Sequence, residues 1–189
     1  FSNNVSKRTY PYFKNCLNKV IMYPIMSPSI ISVKIELYDG KSVFKSNDQL
    51  LESPSNKLIE FNVDEIVSSS NFNDITMFKV VATSINGNIP TRVNHQLIFG
   101  SLNSKSKLNS SINVSLLNEE IFIPVHKTGL TWGQVLVDVN YESKLAVCFD
   151  NNDNSVDSDE VSVDFYGKSG LLKSLKKQLN STESLIFDN

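Results

Sequence analysis

Alanine is the residue that this sequence most lacks, since Ala82 and Ala146 are its only two among 189 residues. Alanine is the strongest helix former, whereas β-branched and aromatic residues favour strands. Valine, isoleucine and phenylalanine are plentiful instead, and apolar residues make up 40% of the chain. Such a fraction is close to the globular norm. The composition therefore predicts a folded, β-rich protein with a buried core.

A basic excess and a long apolar run are also missing. The formal net charge is −2, whereas proteins that bind duplex nucleic acid through its phosphates present a basic face. No stretch approaches the ~18 consecutive apolar residues of a membrane-spanning helix. We therefore expect no nucleic-acid partner and no transmembrane segment.

Cysteine and histidine are scarce, with Cys16, Cys148, His95 and His126 as the complete set. Two cysteines that far apart cannot supply a zinc-site spacing, and two buried thiols are favoured over a disulfide. A nucleophile–base pair of Cys148 with one of the histidines is the catalytic alternative. Because these residues lie in strand-like patterns, we expect packing or surface roles, and no enzymatic activity.

Phosphate-loop chemistry is not expected either. Gly167-Lys168-Ser169 matches the end of a phosphate-binding loop, but Ser162 stands where that loop requires glycine. The chain begins with Phe1, without an initiator methionine or a signal peptide. We expect a processed product or an excised fragment, and a luminal, extracellular or virion setting is favoured over the cytosol.

Alternation of apolar and polar residues predicts most of the strands. Ile31, Val33, Ile35 and Leu37 share one face of a predicted strand that ends before the turn pair Asp39-Gly40. Similar patterns cover 57–63, where a helical turn capped by Asp64 follows, and 75–85, which is apolar on both faces and predicted to be central. We predict an antiparallel, all-β domain of about nine to eleven strands.

The predicted architecture is a jelly-roll-like β-sandwich over residues 18–167, and its alternative is two small sandwiches divided near 86–90. Residues 1–17 are predicted to form an N-terminal arm. Residues 168–189 are predicted to form an amphipathic helix and tail, because leucines recur at helical spacing between lysines. The leucines are Leu171, Leu172, Leu175 and Leu179. This helix is expected to cap the domain or continue beyond the chain, with a partner or membrane surface as the alternative.

The acidic segment 150–160 is the one candidate metal site. Asp150, Asn152 and Asn154 place oxygen ligands at the alternate positions that suit calcium. Ser155 and Val161 occupy the positions where a calcium loop has glycine and glutamate, so a solvated hairpin loop is the expected structure. Trp132 is expected in the core or at its rim, with sugar stacking as the alternative.

Two segments resemble a known family. Residues 144–152 (Lys-Leu-Ala-Val-Cys-Phe-Asp-Asn-Asn) and 160–167 (Glu-Val-Ser-Val-Asp-Phe-Tyr-Gly) are similar to the last two strands of the GOLD domain of luminal cargo receptors. The resemblance covers about a tenth of the chain. It implies a luminal β-sandwich, a disulfide between Cys16 and Cys148, and cargo binding.

These observations predict a non-enzymatic interaction module that binds a protein partner or self-assembles, because rigid β domains present loops and edges to partners. One alternative is a jelly-roll structural or coat protein of a larger assembly, such as a virus particle. The other is an extracellular or luminal domain that binds calcium or a glycan. Neither a cofactor nor a small-molecule ligand is expected.

Overall fold

The computed structural model describes residues 4–23, 30–40, 43–46, 49–51, 58–87, 95–102, 110–112, 144–149, 158–180 and 183–188. These residues form thirteen strands and one short helix. The elements are β1 (Val5–Pro11), β2 (Cys16–Met22), β3 (Ile31–Tyr38), β4 (Val43–Lys45), β5 (Gln49–Leu51), β6 (Ile59–Asn62), α1 (Val63–Ser69), β7 (Met77–Ser84), β8 (His95–Ser101), β9 (Ser110–Ile112), β10 (Lys144–Phe149), β11 (Ser158–Gly167), β12 (Gly170–Asn180) and β13 (Glu183–Asp188). The protein is all-β, as the composition predicts.

Sheet 1 contains five strands around β7. Strands β1 and β3 flank β7 in antiparallel register, and β4 and β5 pair with β3. The predicted turn at Asp39-Gly40 is confirmed, because Gly40 has a positive φ of 84° and β4 follows it. Apolar residues on both faces of β7 suit its central position, since each face of an inner strand is covered.

Sheet 2 has the strand order β6-β2-β8-β9. Its β2 pairs antiparallel with β6 on one side and β8 on the other. The pairing of β2 with β8 joins residues on both sides of 86–90. The division of the chain into domains remains a prediction.

The two sheets contribute side chains to one buried cluster. Ile35 and Val80 of sheet 1 and Val20, Met22 and Leu97 of sheet 2 are all completely buried in it. Burying a side chain of this size contributes about 1.5–3 kcal/mol. This shared cluster is the largest source of stability in the described part of the chain.

We call sheets 1 and 2, with α1 and their shared core cluster, the body of the protein. Strand β10 pairs with β13, and this two-stranded ribbon lies against the body. Ala146 and Ile186 pack against the core cluster. Ser184 of β13 donates its hydroxyl to the carbonyl of Thr76, just before β7. In the described segments, β10 pairs with β13 and β11 with β12, so the hairpin expected around residues 150–160 is not formed.

Strands β11 and β12 form a long antiparallel hairpin. Pairing runs from Ser158 with Asn180 to Gly167 with Gly170, across a two-residue turn. Gly170 has a φ of 111°, a conformation that side chains other than glycine rarely adopt. The predicted C-terminal helix is therefore wrong, because the backbone of β12 pairs with β11 instead of forming the hydrogen bonds of a helix.

The predicted N-terminal arm also differs from the structure. Residues 5–11 form β1 and pair along their whole length with β7. Strand β1 lacks a continuous apolar alternation, but it supplies the backbone partners that the edge of β7 requires. The helical turn predicted after β6 is confirmed as α1, although its N-cap is Asn62 and not Asp64.

Candidate interaction surfaces

The tip of the β11–β12 hairpin exposes three large apolar side chains. Tyr166 is 69% exposed, Leu171 56% and Leu172 67%. Single exposed apolar residues are ordinary on protein surfaces, whereas a cluster of them marks an interaction site. We call these three residues and the intervening turn the hairpin tip.

A β-bulge shapes this tip. Phe165 pairs with Lys173 and Tyr166 pairs with Leu171, which leaves Leu172 as an extra residue in β12. A bulge bends its strand and re-aims side chains, and both Leu171 and Leu172 are exposed although they are adjacent. The side chain of Leu172 lies against the backbone of Gly167. The apolar residues of the tip are therefore held by the fold of the hairpin.

Lysines surround the tip. Residues 165–177 contain four lysines and no carboxylate. Lys176 forms an ion pair with Glu160 at 3.1 Å, and Lys177 lies 5.2 Å from the centre of the Phe187 ring. Lys168 and Lys173 are exposed nearer the turn, and neither forms an ion pair within the described ranges. The tip therefore combines apolar surface with positive charge.

Four more exposed apolar residues lie at strand ends, as one pair in each of the two sheets. Tyr23 (46% exposed) follows β2 and Leu58 (57%) precedes β6, next to the paired residues Met22 and Ile59. In sheet 1, Ile30 (38%) and Ile85 (57%) are joined by a backbone hydrogen bond of 3.0 Å. The segment 24–29 links Tyr23 to Ile30. We call Tyr23, Ile30, Leu58 and Ile85 the linked-end patch.

A depression of about 310 Å³ lies beside α1, and Tyr12 and Asp64 are among the residues that line it. The Asp64 carboxylate accepts hydrogen bonds from the Tyr12 hydroxyl (3.0 Å), the Asn18 amide N–H (2.8 Å) and the Asn18 side chain (3.1 Å). Burial, reinforced by Asp64, raises the pKa of Tyr12. These bonds hold the turn between β1 and β2, where Asn15 has a positive φ of 64°. Asp64 is therefore a structural acceptor.

His95 is buried in the body of the protein. The Tyr10 hydroxyl lies 3.3 Å from His95 Nδ1, and His95 Nε2 is buried without a partner among the described residues. Burial, together with the Arg8 guanidinium, lowers the pKa of His95 from 6.5 to about 4. Burial also raises the pKa of Tyr10 to about 12. His95 is thus a neutral packing residue at physiological pH.

The remaining predicted site residues are distributed as follows. Cys16 and Cys148 are both half-buried and form no disulfide, so the bridge implied by the GOLD resemblance is wrong. Gly167, Lys168 and Ser169 lie at the exposed turn of the hairpin and form no phosphate loop. The candidate calcium ligands Asp150, Asn152 and Asn154 lie outside the described residues, as do His126 and Trp132.

Sequence reasoning missed the hairpin tip, although a signal for it was present. Two residues between Gly167 and Gly170, flanked by apolar segments, are typical of a hairpin turn. The leucine spacing of 171–179 favoured a helix and concealed that signal. For the linked-end patch no local signal exists, because Tyr23 meets Leu58 and Ile30 meets Ile85 only through strand pairing.

Within the described part of the chain, no helix is long and apolar enough to cross a bilayer. No group of three or more potential metal ligands occurs among the same residues. A scan against protein-family models gave no match, and comparisons with curated proteins and with solved structures gave no significant match. The function is therefore argued from the residues and their geometry.

Proposed function

We propose that this chain is a non-enzymatic β-sandwich module that binds a protein partner through the linked-end patch. The observation that carries the proposal is the exposure of four large apolar side chains at strand ends of sheet 1 and sheet 2. Tyrosine is enriched where protein interfaces concentrate their binding energy. Loops at the end of a rigid β domain are a frequent position for binding residues.

The polar groups of the body support binding rather than catalysis. The Asp64 carboxylate is occupied by Tyr12 and Asn18, and His95 is buried against Tyr10. General acid–base catalysis needs a titrating group within reach of a substrate. These two candidates stabilise the fold instead.

The test identifies the partner and then measures its affinity. A photo-crosslinking amino acid in place of Tyr23 should capture one protein partner, which is identified by mass spectrometry and purified. Leu58→Asp and Ile85→Asp should each weaken calorimetric binding to that partner by about tenfold or more, as expected for residues in the energetic centre of an interface.

The matched control is Leu145→Asp, which places the same charge on an exposed leucine of β10, outside the patch. This variant should retain wild-type affinity. Circular dichroism should show that all three variants remain folded. Equal affinity of all three variants and the wild type would contradict the proposal, as would the absence of any protein crosslinked from position 23.

A further inference from the structure

The hairpin tip differs chemically from the linked-end patch. Its apolar residues Tyr166, Leu171 and Leu172 stand beside Lys168 and Lys173, all of them exposed. They lie around a two-residue turn, at the end of a hairpin with ten paired positions. The surface is therefore a narrow end of a two-stranded ribbon rather than a groove.

Positive charge dominates at this end. Asp164, the nearest carboxylate, accepts a hydrogen bond from Ser174 at 2.6 Å and keeps its charge, whereas Glu160 pairs with Lys176, so the two unpaired lysines outnumber the one unpaired carboxylate. Lys168 and Lys173 remain available to an external anion. A partner that covers the tip must therefore offer negative charge next to an apolar phase.

An anionic bilayer has this combination. Leucine side chains partition into the acyl region, tyrosine favours the interface, and lysine extends its ammonium group to the headgroups while its stem remains apolar. A dimer formed through two tips would place the lysines of both copies close together, and their like charges would repel each other.

We propose that the hairpin tip is a peripheral membrane-binding element for anionic lipid surfaces. Leu171, Leu172 and Tyr166 enter the interfacial region, and Lys168 and Lys173 contact lipid phosphates or carboxylates. This site shares no residue with the linked-end patch, so the two proposals are tested with different variants. With two lysines and three apolar side chains, binding is reversible and weakens as salt is raised.

The experiment uses the full chain and vesicles of phosphatidylcholine with or without about 30% phosphatidylserine, an anionic lipid that attracts basic segments. Cosedimentation should show binding to the anionic vesicles and little to the neutral ones. Lys168→Gln with Lys173→Gln should reduce the partition coefficient about 25-fold, because each lysine near such a surface contributes about fivefold. Leu171→Ser with Leu172→Ser should reduce it on the order of tenfold or more.

Matched controls separate the tip from the rest of the protein. Lys7→Gln with Lys14→Gln removes the same charge from exposed lysines of the body and should reduce partitioning less than about threefold, an effect on the order of long-range screening. Leu58→Asp should leave vesicle binding unchanged even where it abolishes protein binding. The two proposals can therefore fail separately.

Insertion has its own spectroscopic readout. Tyr166→Trp should show an emission shift to shorter wavelength with anionic vesicles, measured against the wild-type background from Trp132. Three results would overturn the proposal: no binding to anionic vesicles at low salt, equal loss of binding in the body-lysine and tip-lysine variants, or an unshifted emission of the Tyr166→Trp variant on bound vesicles. A tip that crosslinks to a protein without binding vesicles would assign the surface to a protein partner and likewise overturn the membrane assignment.

Discussion

Strands β7 and β12 show how differently two strands of one chain are used. In β7 every side chain except Thr83 is buried, including the charged Lys79. In the longer β12 only Leu179 is buried and Leu175 is half-buried, while the other residues are exposed. Both strands are stabilised by pairing, but only β7 lies between two neighbouring strands and under a packed cluster.

This difference predicts where substitutions act. Changes in the body around β7 should alter the free energy of unfolding, because they remove packing or leave buried polar groups unpaired. Changes at the hairpin tip should alter binding with little effect on stability. The following experiments test that separation, in order of the expected effect.

The largest effect is expected for Phe78→Ala. Phe78 is completely buried and stacks on Tyr10 with ring centres 5.4 Å apart. The truncation should lower the free energy of unfolding by about 3–5 kcal/mol, the usual cost of removing a core phenylalanine. Urea titration provides the measurement. Leu172→Ala at the tip is the control and should change stability by less than about 0.5 kcal/mol; a loss as large as that of Phe78→Ala would refute the distinction.

The next effect concerns pH and the buried His95. Its folded-state pKa of about 4 lies below the unfolded value of 6.5, so the unfolded chain binds the proton more tightly. The contribution of neutral His95 to the free energy of unfolding is therefore fully present above pH 6.5 and is lost as the pH decreases toward 4. The loss should be roughly 3 kcal/mol. Urea titrations at several pH values in this range should show that the free energy of unfolding depends less on pH in His95→Gln than in the wild type. An equal pH dependence in the two proteins would exclude His95 as its source.

Asp64→Asn should lower the free energy of unfolding less than Phe78→Ala does, and more than the same substitution at the exposed Asp74. Asp64→Asn removes one of the acceptors used by Asn18 and Tyr12, and one buried unsatisfied donor costs about 1–3 kcal/mol. Asp74→Asn is the matched control, because its side chain is 84% exposed and its contact with Lys14 spans 3.6 Å. It should be nearly neutral. Equal losses in the two variants would show that the network beside α1 is not structural.

The smallest effect is expected for Gly170→Ala. Its φ of 111° is unfavourable for alanine, so the turn should lose about 1–2 kcal/mol of local stability. Gly167→Ala is the control, since Gly167 has no positive φ and the atoms nearest to the added carbon belong to the exposed side chain of Leu172. Hydrogen exchange of the β11–β12 amides should accelerate in Gly170→Ala alone. Acceleration throughout sheet 1 would show that hairpin and body unfold together.

Part of the fold was predictable from local pattern. Alternation from Ile31 to Leu37 and the Asp39-Gly40 pair specify β3 and its turn, since a period of two places every apolar side chain on one face. The C-terminal helix was mispredicted for a related reason. Leu175 and Leu179 are spaced by four residues, a multiple of two, so they suit one face of a strand as well as of a helix. Pairing with β11 decided between the two.

The candidate surfaces were much less accessible to prediction. The hairpin tip requires the bulge at Leu172, and the linked-end patch requires β2 to pair with β6 and β3 with β7. His95 illustrates the same limit. The sequence shows a histidine in a strand pattern, whereas its low pKa follows from burial against Tyr10, 85 residues away along the chain.

The sequence by itself determined that this protein is β-rich, with strands wherever apolar residues alternate or crowd together. Local sequence encodes which face of a strand is apolar, because side chains alternate along an extended backbone. Only the tertiary structure decided that the N-terminal segment becomes a strand, that β12 is not a helix, and which apolar residues stay exposed. These features depend on contacts between residues far apart in the chain, and no local pattern contains that information.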